Sequence, residues 1–256
     1  MRWILVALVA GLALLGVPEA AAETAAVYPD LRPLPPYDLR LGSETIDGSS
    51  HRVLRFSAAI WNAGQGPLEL RGEAAGERTR VYQRIYADGA VAAEQPVGDF
   101  SYDQDHGHWH FEHFAGYELW TAREYRRWLA EGRTGAEARW RNSKSTGQGE
   151  GFCLRDSAPV KRLPGSPRSA VYNRCGRELQ GVSVGWGDIY AYYIPNQWID
   201  LGPDRLRSGH YVLRVIADPL NLLYESDGKA DPERESPQAN EAAVYFAVRS
   251  GRIKIK

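Results

Sequence analysis

The stretch "RVLRFSAAIWNAGQGPLELRG", residues 52–72, carries the clearest fold signal in the chain. Apolar and polar residues alternate on both sides of the segment N-A-G-Q-G, and a period of two is typical of half-buried β-strands. Asparagine and glycine favour turns because they tolerate backbone conformations that other residues avoid. The pattern predicts two antiparallel strands that pair with each other around this turn.

The same kind of pattern recurs along the chain. In "TRVYQRIYADGAVAAEQPVGDFSY" (79–102) the pair Asp88–Gly89 marks a tight turn between two strands. The segment at 28–42 is rich in proline and is predicted to be extended. Further strands are predicted at "SVGWGDIYAYYI" (183–194), "HYVLRVIAD" (210–218) and "EAAVYFAVRS" (241–250).

One helix is predicted, at "TAREYRRWLAEG" (121–132), with Thr121 as its cap, Glu124 three residues later and Gly132 at its end. There is no internal repeat and no linker. We therefore expect an all-β chain, an antiparallel β-sandwich with long loops and one or two short helices.

The first residues have the composition of a secretory signal peptide. Arg2 precedes an apolar stretch, and small residues follow at Ala20, Ala21 and Ala22. Residues 1–22 are predicted to be removed on export, which leaves residues 23–256 as a single domain, secreted or held in the periplasm or cell envelope. A membrane anchor is the alternative, but the apolar stretch is short for one. No membrane span is expected after the signal is removed.

Charge and cysteine content bound the function further. The formal net charge is −1, which argues against nucleic acid as a partner. Cys153 and Cys175 are the two cysteines of a chain that is expected to enter an oxidising compartment, so one disulfide is the simplest account. Free thiols or a role in metal binding remain as alternatives.

Histidines are concentrated in "SYDQDHGHWHFEHFAGYELW" (101–120), which holds four of the six in the chain. In a strand His106, His108 and His110 would share one face, with Trp109 and Phe111 on the other. Imidazole binds copper, zinc, iron and nickel, so the residue type does not name the ion. The outer two would be about 13 Å apart in a flat strand, so a shared ion requires a bend.

Gly107 is where such a bend costs least, because glycine has no side chain to restrict the backbone. His113 is either a fourth ligand or a histidine that is hydrogen-bonded behind the site. The alternative to a metal site is a set of surface histidines without a ligand.

The histidine segment resembles the copper-binding segment of the lysyl oxidase family, in which H-x-H-x-H precedes an aromatic-rich strand. Other matching pieces follow in the order of the family: "YPDL", "LRF" with "NAGQG", "GFCLRD", "GWGDIYAYYIPNQWIDL", "GHYVLRVIADP" and "YESD". The resemblance spans nearly the whole chain after the signal.

The resemblance implies a copper site and a quinone cofactor. By resemblance His106, His108 and His110 bind copper, and Tyr190 supplies lysine tyrosylquinone, which oxidises primary amines to aldehydes with O₂. Asp188 matches the acidic residue two positions before that tyrosine and is the candidate general base. Cys153 and Cys175 match a cysteine pair of the family. On spacing alone, Tyr190 would be an ordinary core aromatic residue.

A calcium site is implied in part. By resemblance its ligands are Asp30, the carbonyl group of Leu31, Glu225 and Asp227, with Asn240 completing the set beyond an insertion. Oxygen donors of this type suit a hard cation. An ordinary acidic loop is the alternative interpretation of residues 225–241.

The chain departs from the family at the quinone lysine. That position falls on Gly149, which cannot form the cross-link. The sequence contains five lysines, and Lys144 is the nearest to this position. Without a lysine, a tyrosine close to copper could give a different tyrosine-derived quinone or remain unmodified.

Three functions follow from these observations. The first is an exported copper amine oxidase that acts on small primary amines or on lysine side chains in proteins. The second is a copper-binding or interaction module without the quinone. The third is a zinc hydrolase that uses the three histidines and an open coordination position, although the match around Tyr190 does not favour it.

Overall fold

The computed structural model describes residues 25–75, 78–104, 106–141, 151–225 and 240–255. Residues 1–22, for which a signal peptide is predicted, lie outside this part of the chain. Within the described ranges, no helix has the length and apolar composition that are needed to cross a membrane.

The all-β prediction is confirmed, because the described residues form three antiparallel sheets and one helix. The first sheet has six strands: β1 (Leu31–Pro33), β2 (Tyr37–Ile46), β3 (Ser49–Asn62), β10 (Ala158–Pro159), β12 (Trp186–Tyr190) and β13 (Trp198–Gly202). The second has five: β4 (Leu68–Ala75), β5 (Arg78–Ala87), β6 (Ala90–Asp103), β7 (His108–Phe111) and β11 (Leu179–Val182). The third has five: β8 (Ala115–Thr121), β9 (Trp140–Arg141), β14 (Gly209–Ala217), β15 (Glu241–Arg249) and β16 (Arg252–Ile255).

The long strand β3 organises the first sheet. One edge of β3 pairs with β1 and β2, and the other edge pairs with β12 and β13. The predicted hairpin between residues 52–62 and 68–72 is therefore wrong, because β4 pairs with β5 and β11 in the second sheet. Both edges of β3 are already occupied, so the turn passes the chain to another sheet.

Two local predictions are confirmed. Asp88 and Gly89, both with positive φ, form the two-residue turn between β5 and β6. The helix α1 (Ala122–Ala130) is capped at Thr121, whose Oγ1 accepts a hydrogen bond from the backbone N–H of Glu124 at 3.3 Å and donates to the Glu124 carboxylate at 2.6 Å. The strand predicted over 183–194 ends at Tyr190, and residues 191–197 form turns.

The three sheets share one apolar core. Phe56 of β3, Phe100 of β6 and Phe246 of β15 are among its fully buried side chains. Phe152 lies in the loop between β9 and β10 and also enters this core. The core therefore fixes β7 of the second sheet close to β12 of the first, with the segment around Phe152 between them.

Candidate metal centre and adjoining tyrosine

The histidine cluster is built by the hairpin between β6 and β7. Asp103, the last residue of β6, pairs with His108, the first residue of β7. Gly107 has φ +69°, and its N–H donates to the carbonyl oxygen of Asp103 at 2.8 Å. The bend expected at Gly107 is confirmed, and it places His106 in the turn instead of in the strand.

The bend brings the three histidines together. One ring nitrogen from each of His106, His108 and His110 lies within 4.8 Å of the other two. The separation of about 13 Å that a flat strand would impose is therefore removed by the turn. Three imidazole nitrogens are close enough to one another to bind a single transition-metal ion.

Asp103 orients two of these rings. Its Oδ2 lies 2.9 Å from Nδ1 of His106 and 3.2 Å from Nδ1 of His110. A proton on Nδ1 leaves the lone pair of Nε2 available, which is the usual arrangement behind a metal-binding histidine. Nε2 of His106 is buried and has no hydrogen-bond partner among the described residues. Burial, with the nearby His106, lowers the pKa of His108 and favours its neutral form.

The disulfide between Cys153 and Cys175 is confirmed, and it lies beside this cluster. Phe152 exchanges two backbone hydrogen bonds with Phe111 of β7, at 2.8 and 2.9 Å. A side chain on Gly151 would meet the carbonyl oxygen of Phe111 at 2.6 Å and Cβ of His110 at 2.7 Å. Glycine at position 151 therefore permits the close approach of this segment to the histidine strand.

Asp188 and Tyr190 extend from the same face of β12. The hydroxyl oxygen of Tyr190 lies 2.6 Å from Oδ2 of Asp188 and 2.8 Å from the carbonyl oxygen of Cys153. Ser157 donates to Oδ1 of Asp188 at 3.2 Å. Phe152 packs its ring edge against the ring of Tyr190, with the two centroids 4.8 Å apart.

Burial shifts the acidity of both groups. It raises the pKa of Asp188 to about 7, against the opposing hydrogen bonds from Tyr190 and Ser157 and the nearby positive charge of Arg155. Burial also raises the pKa of Tyr190 well above its ordinary value, and the Asp188 carboxyl group adds to the rise. The pair therefore titrates in the neutral range through its carboxyl group and not through its phenol.

A cavity of about 190 Å³ joins the histidines to this pair. Its wall includes the three histidines, the disulfide, Asp188 and Tyr190. A larger cavity of about 320 Å³, lined by Arg52 and Arg205, lies elsewhere and contains no comparable set of groups. The three predicted copper ligands, together with Asp188 and Tyr190, thus line the same cavity.

The candidate lysine of the quinone and the position at which the family has its lysine both lie outside the described chain. Lys144 and Gly149 both fall within residues 142–150. The proposed cross-link to Tyr190 stays a prediction. His113 is half-buried and has φ +60°.

The predicted calcium ligands are brought together only in part. Glu225 accepts from the backbone N–H of Leu31 at 2.6 Å and from the side-chain amide of Asn240 at 2.8 Å. The carboxylate of Asp30 accepts from Arg32 at 2.6 Å. Asp227 lies outside the described residues.

Sequence reasoning missed three residues of the site. Asp103 contacts two histidines, Ser157 contacts Asp188, and Arg155 is exposed on the wall of the cavity. Asp103 could have been found, since metal-binding histidines commonly pair with a carboxylate and this one precedes the cluster by three residues. Ser157 gives no signal in the sequence, because only the pairing of β10 with β12 places it beside Asp188.

Comparison with known proteins decides the family. Residues 76–235, more than half of the chain, match the family model for lysyl oxidase. The chain belongs to the lysyl oxidase family. The matched range contains the histidine cluster, the disulfide and Tyr190, whereas Asp30, Leu31 and Asn240 lie outside it.

Individual relatives are distant from this lysyl oxidase family member. Lysyl oxidase homolog 3 of Homo sapiens is 26% identical over 177 residues, which cover 69% of this chain and 17% of that protein. Protein-lysine 6-oxidase of Rattus norvegicus is 30% identical over 154 residues, which cover 58% of this chain and 31% of that protein. Protein-lysine 6-oxidase of Sus scrofa is 29% identical over 154 residues, which cover 58% of this chain and 51% of that protein. The match thus spans between about a sixth and about half of these curated relatives.

Proposed function

We propose that the protein is an exported copper-dependent amine oxidase. The overall reaction converts a primary amine, O₂ and water into an aldehyde, ammonia and hydrogen peroxide. The observation that carries the proposal is that one cavity is lined by three convergent histidines and by a buried tyrosine in contact with a carboxyl group. Membership of the lysyl oxidase family supports an oxidase that acts on amines or lysine.

Copper would be held by His106, His108 and His110. The residues fit such an ion, because a buried Nε2 of His106 has no partner among the described residues and Asp103 holds the opposite nitrogen of the same ring. Bound copper would supply the one-electron chemistry with O₂ that converts a neighbouring tyrosine ring to a quinone. Asp103 keeps the rings of His106 and His110 oriented for such an ion.

The remaining residues would handle the substrate and its proton. Asp188, with a pKa of about 7, is able to accept the proton that leaves the carbon next to the amine. Ser157 holds the second oxygen of that carboxyl group. Phe152 is fully buried and packs against the ring of Tyr190.

The cofactor would form from Tyr190, either cross-linked to Lys144 as lysine tyrosylquinone or as another tyrosine-derived quinone. Gly149 occupies the position where the family has its lysine, so Lys144 would have to reach the ring from five positions away. The substrate would be a small primary amine or a lysine-containing protein.

The rest of the proposal concerns export and a second ion. Residues 1–22 would be removed as a signal peptide, which leaves a single domain whose N-terminal residue is Glu23, as the mass of the purified protein would reveal.

Calcium would bind near Glu225 and Asn240, where it would compete with the N–H donors that contact Glu225. If calcium binds there, the melting temperature of the protein should rise when calcium is added.

The test of the oxidase is formation of a protein-bound quinone. The purified protein is loaded with Cu(II) in air and treated with a redox-cycling quinone stain and with phenylhydrazine, which forms a coloured adduct with the quinone carbonyl group. We expect both signals in the native protein and neither in Tyr190→Phe. Tyr193→Phe is the matched control, because Tyr193 lies in the same segment but is largely exposed.

Lysine variants distinguish lysine tyrosylquinone from a quinone made from tyrosine alone. Loss of the signal in Lys144→Ala, with no loss in the control Lys161→Ala, would support lysine tyrosylquinone. Retention in Lys144→Ala would support a quinone made from tyrosine alone. Bound copper without any signal would contradict the oxidase and favour a copper-binding module, and selective binding of zinc would favour a hydrolase.

A further inference from the structure

A second group of metal-binding atoms adjoins the histidine cluster. The Sγ atoms of Cys153 and Cys175 and a ring nitrogen of His108 all lie within 4.8 Å of one another. The two sulfur atoms are joined in a disulfide, which has no thiolate to offer. His108 belongs to both groups, and both line the same cavity.

We propose that reduction of this disulfide creates a second metal site, which binds Cu(I) through Cys153, Cys175 and His108. Reduction adds two electrons and two protons, which a dithiol reductant supplies as it becomes a disulfide itself. Binding of Cu(I) then releases the two thiol protons. Thiolate sulfur is a soft ligand that selects Cu(I). Imidazole nitrogen, in contrast, binds Cu(II) as well as Cu(I).

The backbone keeps both cysteines near His108 without the S–S bond. Phe152, the neighbour of Cys153, is hydrogen-bonded in both directions to Phe111 of β7. The carbonyl oxygen of Cys175 accepts from the N–H of Trp109, which directly follows His108. Both sulfur atoms would therefore stay beside the histidine after reduction.

The reductant has access to the disulfide. Cys153 is buried, but Cys175 is half-buried and lies on the wall of the open cavity. A thiolate that enters this cavity would attack Sγ of Cys175 and release Cys153 as the leaving thiol. The disulfide is thus placed for exchange from the same side as the metal.

The two sites would compete for His108. In the oxidised protein this ring would serve the three-nitrogen site, and in the reduced protein it would complete the site with two sulfur atoms. His106 and His110 take part only in the first. The redox state of one disulfide would then determine which oxidation state of copper the cavity retains.

The test measures Cu(I) affinity in the two redox states. The full-length protein is reduced with a phosphine, which is oxidised to the phosphine oxide, and desalted without oxygen. It is then titrated with Cu(I) in competition with a bicinchoninate chelator, and the sulfur-to-copper absorption is recorded. We expect one Cu(I) per chain, bound roughly tenfold or more tightly than by the oxidised protein.

Variants identify the ligands. The gain on reduction should be lost in the double variant Cys153→Ser, Cys175→Ser and in His108→Gln, and retained in His106→Gln. If the serine variant does not fold, as circular dichroism would show, His108→Gln carries the test because its disulfide is intact. Equal Cu(I) affinity in the two redox states, or a gain that survives loss of His108, overturns the proposal. No outcome depends on amine oxidation.

Discussion

Among single residues, Tyr190 links two parts of the candidate site through its hydroxyl group. It has one proton and two neighbouring oxygen acceptors, on Asp188 and on the backbone of Cys153. When Asp188 is protonated it donates to Tyr190, and Tyr190 donates to Cys153, so both contacts are satisfied. When Asp188 is ionised, one of the two contacts lacks a proton. Burial raises the pKa of Asp188 to about 7 and outweighs the hydrogen bonds that favour its ionised form.

The buried Asp188 should make stability depend on pH. Its pKa in the folded protein lies above the ordinary value of 3.8, so the folded state keeps a proton that the unfolded state has lost. The free energy of unfolding should therefore fall as pH rises from 5 to 8, by about 2 to 3 kcal/mol from this group. Urea denaturation at the two pH values measures this.

The Asp188→Asn variant isolates that contribution. It should lose this part of the pH dependence and be more stable than the native protein at pH 8. Asp204→Asn, a change on the exposed loop after β13, should keep the native profile. The same slope in Asp188→Asn as in the native protein would mean that the carboxyl group is ionised throughout this range.

Asp103 should control metal affinity without touching the metal. Its carboxylate contacts Nδ1 of His106 and of His110. In Asp103→Asn the affinity for Cu(II) should fall about 10- to 100-fold, because the two rings lose the charge that orients them. Chelator competition measures the change, and Asp99→Asn on the same strand is the control. An unchanged affinity would show that the rings are held by packing alone.

At the scale of elements, the turn after β3 shows what the sequence could not predict. The pattern of 52–72 identifies two strands but not their partners. The side-chain oxygen of Asn62 accepts from the N–H groups of Asp30 and Gly64, and its amide donates to the carbonyl oxygens of Gly66 and Val182. These contacts reach residues far along the chain, so the turn binds other segments instead of closing a hairpin.

Loss of Asn62 should be strongly destabilising. Asn62→Ala leaves two backbone N–H groups and two carbonyl groups without their partner in a fully buried position. We expect a loss of about 3 kcal/mol or more in the free energy of unfolding, measured by urea denaturation. Asn173→Ala, at an exposed position, should change it by less than about 0.5 kcal/mol. A small effect at position 62 would mean that water replaces the side chain.

Where interactions between neighbouring residues determine the local structure, the sequence was sufficient to predict that structure. The turn at Asp88–Gly89 and the cap at Thr121 depend on residues close to each other in the chain, and both were predicted. The turn at Asp47–Gly48, which joins β2 to β3, has the same signal, but it was not predicted because no element was assigned between residues 42 and 52.

The helix cap should contribute a modest amount of stability. Thr121→Ala removes the hydroxyl group that accepts from the N–H of Glu124, and it should cost about 1 kcal/mol. Thr134→Ala serves as the control, since its exposed hydroxyl donates to the carbonyl oxygen of Glu131 beyond the helix end. Thermal unfolding compares the two variants. Equal effects would indicate that packing of Tyr125 and Trp128 alone fixes the helix start.

At the scale of the whole molecule, the site lies where two sheets meet. His108 and His110 come from β7 in the second sheet, and His106 comes from the turn before it. Tyr190 comes from β12 in the first sheet. They are separated by about 80 residues in sequence, so periodicity along one strand could find the histidines but not their neighbour. The resemblance to lysyl oxidases named Tyr190 and Asp188, and the shared core brings them to the same cavity.

The proposed amine oxidase requires that Tyr190 becomes a carbonyl cofactor beside copper. Peptide mapping of the copper-loaded, phenylhydrazine-treated protein tests it most directly, after reduction and alkylation of the disulfide. Trypsin releases Tyr190 within residues 178–205, and a cross-linked Lys144 would join this peptide to residues 142–155. We expect the hydrazine adduct on Tyr190, and only after exposure to copper and air. An unmodified peptide 178–205 from fully copper-loaded protein would contradict it.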